Sequence, residues 1–93
     1  MSAGQITQGR RVYCNEIGLK LEKPGDYGTV NGHWKAWPPG ILKRAGGAYL
    51  DSHTVTEHED GTITVSPSIL WDESMGTGDT WHGYLERGVW REA

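Results

Sequence analysis

The sequence predicts a small, mainly β domain: a single antiparallel sheet or a partly open barrel of about five to seven short strands joined by tight hairpins. Fourteen glycines are spaced between short runs of alternating polar and apolar residues. No stretch keeps the period of an amphipathic helix. Asn-Gly and Asp-Gly pairs, both typical of hairpin turns, stand between the alternating runs. Frequent glycine also suits bent strands and a curved sheet.

The N-terminal part is predicted to begin with a loose segment and then to enter the sheet. Residues 1–9 are expected to be a flexible terminus, ahead of a single domain over residues 10–93. Val12 and Cys14 alternate with polar neighbours and are expected to face the core together, since a free cysteine behaves as a small apolar side chain. The chain is then expected to turn at Gly18.

The middle of the chain is predicted to hold a hairpin followed by irregular structure. The Asn-Gly pair at residues 31–32 predicts a two-residue hairpin turn. In the strand that follows, Trp34 and Ala36 are expected on one face and Trp37 on the other, before prolines end the strand. A short helix is expected at residues 41–44, and residues 72–79 are expected to form a flexible loop.

The stretch TEHEDGTITV, Thr56 to Val65, predicts a hairpin that can close in two registers. A two-residue turn would place Thr56 and His58 on the apolar face and send Val55 outward. A three-residue turn with a bulge at Gly61 instead pairs Val55 with Val65 and places Thr56 and His58 on the other face. A slip of one residue flips the whole strand. Burying the Val55 side chain stabilises the folded state by about 1.5–3 kcal/mol, so the bulged turn is predicted.

The segment WHGYLERGVWRE predicts a second hairpin near the C-terminus. A three-residue turn over its Glu-Arg-Gly would pair Leu85 with Val89 and Tyr84 with Trp90. Trp81 and Trp90 would then lie on opposite faces, and one of them would be partly exposed. The apolar faces together predict a core of Val12, Leu19, Leu21, Val30, Trp34, Val55, Ile63, Val65, Ile69, Leu85 and Val89.

Composition narrows the class of protein. The formal net charge is -3 and both signs are dispersed, which does not favour a nucleic-acid binder. Cys14 is the single cysteine, which fits a reducing compartment and excludes an intramolecular disulfide framework. We see neither a secretory leader nor an apolar run long enough to span a bilayer. A cytoplasmic protein without membrane contact is therefore expected.

The histidines and carboxylates around residues 51–58 are the candidates for a metal-binding or catalytic site. Asp51, His53 and Glu57 have the even spacing that places side chains on one face of a strand, which makes them a candidate metal site. An enzyme would use these three together with His58 and His82. No nucleophile signature surrounds the cysteine or the serines, and the Gly-rich SMGTGDT lacks a phosphate-loop ending. No cofactor is predicted.

The types of aromatic residue in the sequence favour a binding surface over a catalytic site. Five Trp and four Tyr occur without any Phe, and both types are enriched at protein interfaces. Recovery of no partner above background, together with burial of Trp37, Trp71 and Trp90, would count heavily against this interpretation. The candidate patch consists of Trp37, Trp71, His82, Tyr84, Trp90, Thr56 and His58.

The segments EHEDGTITVSPSIL and WHGYLERGVW, with PGDYG ahead of them, resemble a group of small accessory proteins of actinobacterial phages, of the mycobacteriophage type. The resemblance covers about residues 24–92. It implies a non-enzymatic phage product in the cytoplasm of the infected bacterium that binds a host protein and modulates host growth or superinfection. A small metal-dependent or nucleotide-directed enzyme and a minor structural component of the phage are the alternatives. Oligomeric state and the partner's identity are left open.

Overall fold

The computed structural model describes residues 5–41, 47–71 and 80–93, and this part of the chain forms nine strands. They are β1 (Ile6–Gln8), β2 (Arg10–Arg11), β3 (Asp26–Val30), β4 (His33–Ala36), β5 (Ala48–Tyr49), β6 (Thr54–Glu57), β7 (Ile63–Trp71), β8 (Trp81–Glu86) and β9 (Val89–Glu92). The expected mainly β class is confirmed. The strands form two sheets that do not close into a barrel, and several are only two or three residues long.

The larger sheet has the order β1-β9-β8-β7-β6 and the smaller one the order β2-β3-β4-β5. Neighbouring strands are antiparallel except for the parallel pair β2 and β3. Alternation along a strand shows that one face is buried, but it does not show which strands share a sheet. The prediction of about five to seven strands in one sheet was too low. Strands of only two residues are too short to show an alternating pattern in the sequence.

The core lies between the two sheets and is built largely from aromatic side chains. Trp71, Trp90 and Tyr27 are almost completely buried, and the rings of Trp81 and Trp90 meet edge to face with centroids 5.4 Å apart. The full set of buried apolar residues is Leu21, Tyr27, Ala36, Trp37, Ile41, Leu50, Ile63, Val65, Ile69, Trp71, Trp81, Leu85 and Trp90. Such rings bury much more apolar surface than aliphatic side chains, which lets a small domain form a core.

The predicted core residues fall into three groups. Five are buried as expected, namely Leu21, Ile63, Val65, Ile69 and Leu85, and four are partly buried against them, namely Val12, Leu19, Trp34 and Val55. Val30 and Val89 lie beside hairpin turns, where they stay partly exposed and outside the core. Cys14 was expected to be buried with Val12, and that prediction is wrong because its side chain is exposed.

The N-terminal segment enters the larger sheet earlier than predicted. The sequence predicted a loose terminus over residues 1–9, whereas Ile6–Gln8 pairs antiparallel with β9, with Ile6 opposite Arg91. A three-residue strand at one end of the chain is set by its distant partner, so its own sequence gives little signal. The helix expected at residues 41–44 and the loop expected at 72–79 lie outside the described residues, except for Ile41. The described part holds no helix long and apolar enough to cross a bilayer.

The hairpin between β6 and β7 has the predicted bulged register. Val55 lies opposite Val65 and Thr56 opposite Thr64. The N–H of His58 donates to the Thr62 carbonyl at 2.8 Å, and Gly61 has a φ of 87°. A positive φ is accessible to glycine without steric cost, so this residue can form the bulge. The predicted two-residue turn at residues 31–32 is also confirmed, with Val30 opposite His33 in the register.

The hairpin between β8 and β9 closes in a different register from the predicted one. Its turn has two residues, Arg87 and Gly88, both with positive φ, of 47° and 79°. Leu85 therefore lies opposite Trp90, where Val89 was expected. The shift moves Trp90 from the outer face to the core, where it is completely buried. The prediction that one tryptophan of this hairpin is partly exposed is wrong.

Candidate binding surface

The outer face of the five-stranded sheet is the surface on which the predicted polar residues come together. Its side chains alternate with the buried ones along each strand. One row across the sheet runs from Ile6 through Arg91 to Tyr84, because these residues are directly opposite one another. A second pair on the same face consists of Leu70 and His82.

A bulge in β7 shapes the middle of this outer face. Val65 lies opposite Leu85 and Ile69 opposite Gly83, so β7 has more residues than β8 over this stretch. Pro67 lies within it, where the lack of a backbone N–H donor is tolerated. A shallow depression of about 370 Å³ results. It is lined by Thr64, Val65, Ser66, Pro67, Ser68, Tyr84 and Glu86.

Histidines on both sides of β7 are held by hydrogen bonds to that strand. The Nε2 atom of His82 lies 2.8 Å from the Ser68 hydroxyl, and the Nε2 atom of His53 lies 3.1 Å from the Ser68 carbonyl oxygen. Because a carbonyl only accepts, the Nε2 of His53 carries the proton. The Nε2 of His58 lies 2.7 Å from the Thr64 hydroxyl. These contacts hold the imidazole rings in place in the free protein.

An arginine and a tyrosine stack on the same face. The Arg91 guanidinium carbon lies 4.6 Å from the centre of the Tyr84 ring, within the range of a cation–π contact. One guanidinium nitrogen of Arg91 is 3.4 Å from the Glu86 carboxylate, and the His82 ring is 6.3 Å from that of Tyr84. The stack presents a flat polar and aromatic surface with little freedom to lose on binding.

The structure divides the predicted patch. Thr56, His58, His82 and Tyr84 are together on the outer face, as the Thr- and His-bearing face of the sequence hypothesis required. The tryptophans expected with them are not. Trp37, Trp71 and Trp90 are buried in the core, so the predicted exposed tryptophan patch does not exist. Trp37 follows the end of β4, where its indole N–H donates to the Ile41 carbonyl.

Three residues of the surface were missed in the sequence. Ile6 and Leu70 are 66% and 61% exposed, and Arg91 joins them on the outer face. For Leu70 a signal was available, because it stands between the inward-facing Ile69 and Trp71. Ile6 and Arg91 come together only because β1 pairs with β9, and no local sequence pattern shows that pairing.

The candidate metal ligands are not brought together. The Nδ1 atom of His33 lies 3.0 Å from an Asp51 carboxylate oxygen, whereas Glu57 accepts from the Arg11 guanidinium at 2.8 Å. His53 instead contacts the Ser68 carbonyl. Within residues 5–41, 47–71 and 80–93, no three His, Cys, Asp or Glu side chains are close enough to hold a metal ion. Asp51 and His53 precede β6, so the even spacing does not place the three side chains on one strand, and each side chain has a different partner.

The tip of the β6–β7 hairpin carries carboxylates beside the outer face. A depression of about 440 Å³ there is lined by Glu57, His58, Glu59, Asp60 and Arg87. Asp60 accepts hydrogen bonds from the Thr62 hydroxyl at 2.6 Å and the Thr62 N–H at 3.0 Å. These hydrogen bonds lower the pKa of Asp60, so its carboxylate stays ionised at neutral pH.

No family model, curated protein or solved structure matches the chain. The outer face shares features with protein interfaces. Exposed apolar side chains stand beside a stacked Arg–Tyr pair, and hydroxyl and imidazole groups supply donors and acceptors around them. Tyrosine and arginine are enriched where proteins bind one another.

Proposed function

We propose that this protein is a small non-enzymatic accessory protein, phage-encoded as its resemblance implies, that binds a host cytoplasmic protein and thereby modulates host growth or superinfection. The observation that carries the proposal is the outer face of the five-stranded sheet. There Leu70 and Ile6 expose most of their apolar surface next to the stacked pair of Tyr84 and Arg91.

Two properties of this surface support binding over catalysis. Its histidines are engaged with serine, threonine or carbonyl groups of β7, and its arginine is stacked on a tyrosine, so the side chains are already ordered. Ordering before binding reduces the entropy lost in a complex. The depression at the β7 bulge is open and shallow, which fits a protruding side chain of a protein better than an enclosed small substrate.

The test is affinity capture from host lysate with the complete chain and two variants of exposed apolar residues. Leu70→Ser changes the outer face, whereas Tyr49→Ala changes a residue of the smaller sheet with a similar exposure, 55% against 61% for Leu70. We expect one host protein to be retained by the wild type and by Tyr49→Ala, and to be reduced at least tenfold with Leu70→Ser. Equal recovery on all three chains, or recovery of no specific protein, would refute the proposal.

A further inference from the structure

Among the described residues, β6 is one edge of the five-stranded sheet, and part of its main chain has no hydrogen-bonding partner in another described strand. Along an antiparallel edge strand, every second residue points its N–H and C=O groups toward the neighbouring strand, and the residues in between point theirs away from it. Just beyond β6, His58 donates its N–H to the carbonyl of Thr62, the residue before β7, so the main-chain groups of Thr56 also point toward β7. The main-chain groups of Val55 and Glu57 therefore point away from β7, to the side of β6 on which no described strand pairs.

The same alternation is confirmed on the other side of β7. The N–H of Gly88 donates to the carbonyl of Ile63, which places the Ile63 and Val65 main chains toward β8. Their opposite residues on β6 are Glu57 and Val55. An exposed strand edge with unpaired donors and acceptors is a template for another strand.

The negative charge beside the β6 edge favours a positively charged binding partner. The hairpin tip at the end of β6 holds three carboxylates, of Glu57, Glu59 and Asp60, against the guanidinium groups of Arg11 and Arg87. Only Glu57 among the three forms a salt bridge in the described part of the chain. A second copy of this chain paired antiparallel through β6 would bring no lysine or arginine to these carboxylates, because residues 51–60 contain neither, and would place Asp51 nearest to them.

We propose that the edge of β6 pairs with an extended segment of the partner protein that carries lysine or arginine, one of which enters the depression at the hairpin tip. This inference rests on the proposed function and adds the chemistry of the partner. Main-chain hydrogen bonds to Val55 and Glu57 hold the segment, and Glu59 and Asp60 select its charge. The outer-face residue Thr56 lies on the same strand, so edge and outer face form one continuous surface.

The experiment uses an alternating Lys-Val heptapeptide as the probe and a Glu-Val heptapeptide as its control, both at millimolar concentration, with amide NMR shifts of the complete chain as the readout. We expect the Lys-Val peptide alone to shift the amides of Val55 and Glu57, with an effect that weakens as salt is added. Shifts confined to the edge strand β1 or to the outer face, equal response to both peptides, or self-association through β6 would overturn the inference.

Two variants separate strand pairing from simple charge attraction. Val55→Pro removes an N–H that faces away from β7, so the ladder with β7 is kept. Glu59→Lys reverses an exposed charge and keeps the inference testable if the proline variant folds poorly. Both are expected to weaken peptide binding at least fivefold, and unchanged binding in Glu59→Lys would overturn it.

The host protein captured in the previous experiment distinguishes the two proposals. Loss of that protein with Leu70→Ser but full retention with Glu59→Lys leaves the proposed function standing and overturns the edge inference. Peptide binding at β6 without any captured host protein refutes the proposed function and supports the edge as a peptide site.

Discussion

Arg10 and Asp26 form a two-pronged ion pair that fixes the start of the smaller sheet. The Nε and a terminal nitrogen of Arg10 donate to the two carboxylate oxygens of Asp26 at 3.0 and 2.7 Å. The backbone N–H groups of Glu22 and Lys23 donate to the same carboxylate at 2.9 and 3.1 Å. Asp26 is fully buried, and its carboxylate is stabilised by these four hydrogen bonds from the protein. The pair joins the parallel strands β2 and β3.

Replacing Asp26 with Asn is expected to lower the free energy of unfolding by about 3 kcal/mol, because hydrogen bonds to a buried charged group are lost and Arg10 loses its buried ionised partner. Urea denaturation measures the loss. Glu22→Gln is the control, since that exposed carboxylate also contacts Arg10, at 3.2 Å, but surface pairs contribute no more than about 1 kcal/mol. Equal effects of the two variants would contradict the role of the buried pair.

The same carboxylate makes stability depend on acid pH. Burial by itself would raise the pKa of Asp26, but the hydrogen bonds from Arg10 and from the two backbone N–H groups outweigh it and hold the pKa below 3.8. A lowered folded-state pKa stabilises the protein above the unfolded value, and this stabilisation is lost as the pH falls below about 3.8. The stability difference between wild type and Asp26→Asn should therefore narrow from pH 6 toward pH 2.5.

Asp60 provides the internal control for that pH series. Its pKa is also lowered, by hydrogen bonds from Thr62, so both the wild type and the Asn variant keep this second acid-sensitive contribution. Both curves should fall in acid, with the wild type falling more steeply. Parallel curves over the whole range would show that Asp26 is not ionised in the folded protein.

The two turn glycines Gly32 and Gly88 form a matched pair for a test of hairpin geometry. Their φ angles are 80° and 79°, but a Cβ on Gly32 would meet nothing within 4 Å. A Cβ on Gly88 would stand 2.7 Å from the Tyr27 hydroxyl and 2.9 Å from the Thr62 methyl. Gly32→Ala is expected to cost about 1 kcal/mol of backbone strain, and Gly88→Ala about 3 kcal/mol, because the packed side chains must also move. Thermal denaturation of both variants measures the difference, and equal losses would place the second turn away from Tyr27.

The hairpins show how far the sequence can specify register. For β6 and β7, only one register buries Val55, Ile63 and Val65 together, so burial decides it. For β8 and β9, the observed register places Trp81, Leu85 and Trp90 together in the core and leaves Tyr84 on the outer face. It requires a two-residue turn in which Arg87 has a positive φ, which side chains other than glycine rarely adopt. Nothing in the local sequence predicts a positive φ at Arg87.

The candidate surface was predictable where it depends on one hairpin. Thr56 and His58 were placed on the outer face by the register of β6 and β7, and the structure agrees. Ile6 and Arg91 became part of it only through the pairing of β1 with β9, which joins residues from opposite ends of the chain. Such long-range pairing is set by the packing of the whole sheet and leaves no periodic signal in either short segment.

Substitution of Trp90 distinguishes the observed register of the C-terminal hairpin from the register that the sequence predicted. The residue is completely buried, its indole N–H donates to the Gly25 carbonyl at 2.9 Å, and its ring meets that of Trp81 edge to face. Trp90→Ala is expected to lower the free energy of unfolding by about 3–5 kcal/mol, because it opens a cavity and removes one of the two hydrogen bonds to the buried Gly25 carbonyl, which keeps only the one from the Arg10 N–H.

Leu70→Ala is the matched control, since this apolar residue of the same sheet is 61% exposed, and a change within about 0.5 kcal/mol is expected. Urea denaturation followed by circular dichroism measures both variants without relying on tryptophan emission. If Trp90→Ala were as mild as Leu70→Ala, Trp90 would lie on the outer face, and the tryptophan-bearing patch excluded above would have to be restored. A large loss in Trp90→Ala alone assigns the indole to the core and leaves the outer face to tyrosine, histidine and leucine.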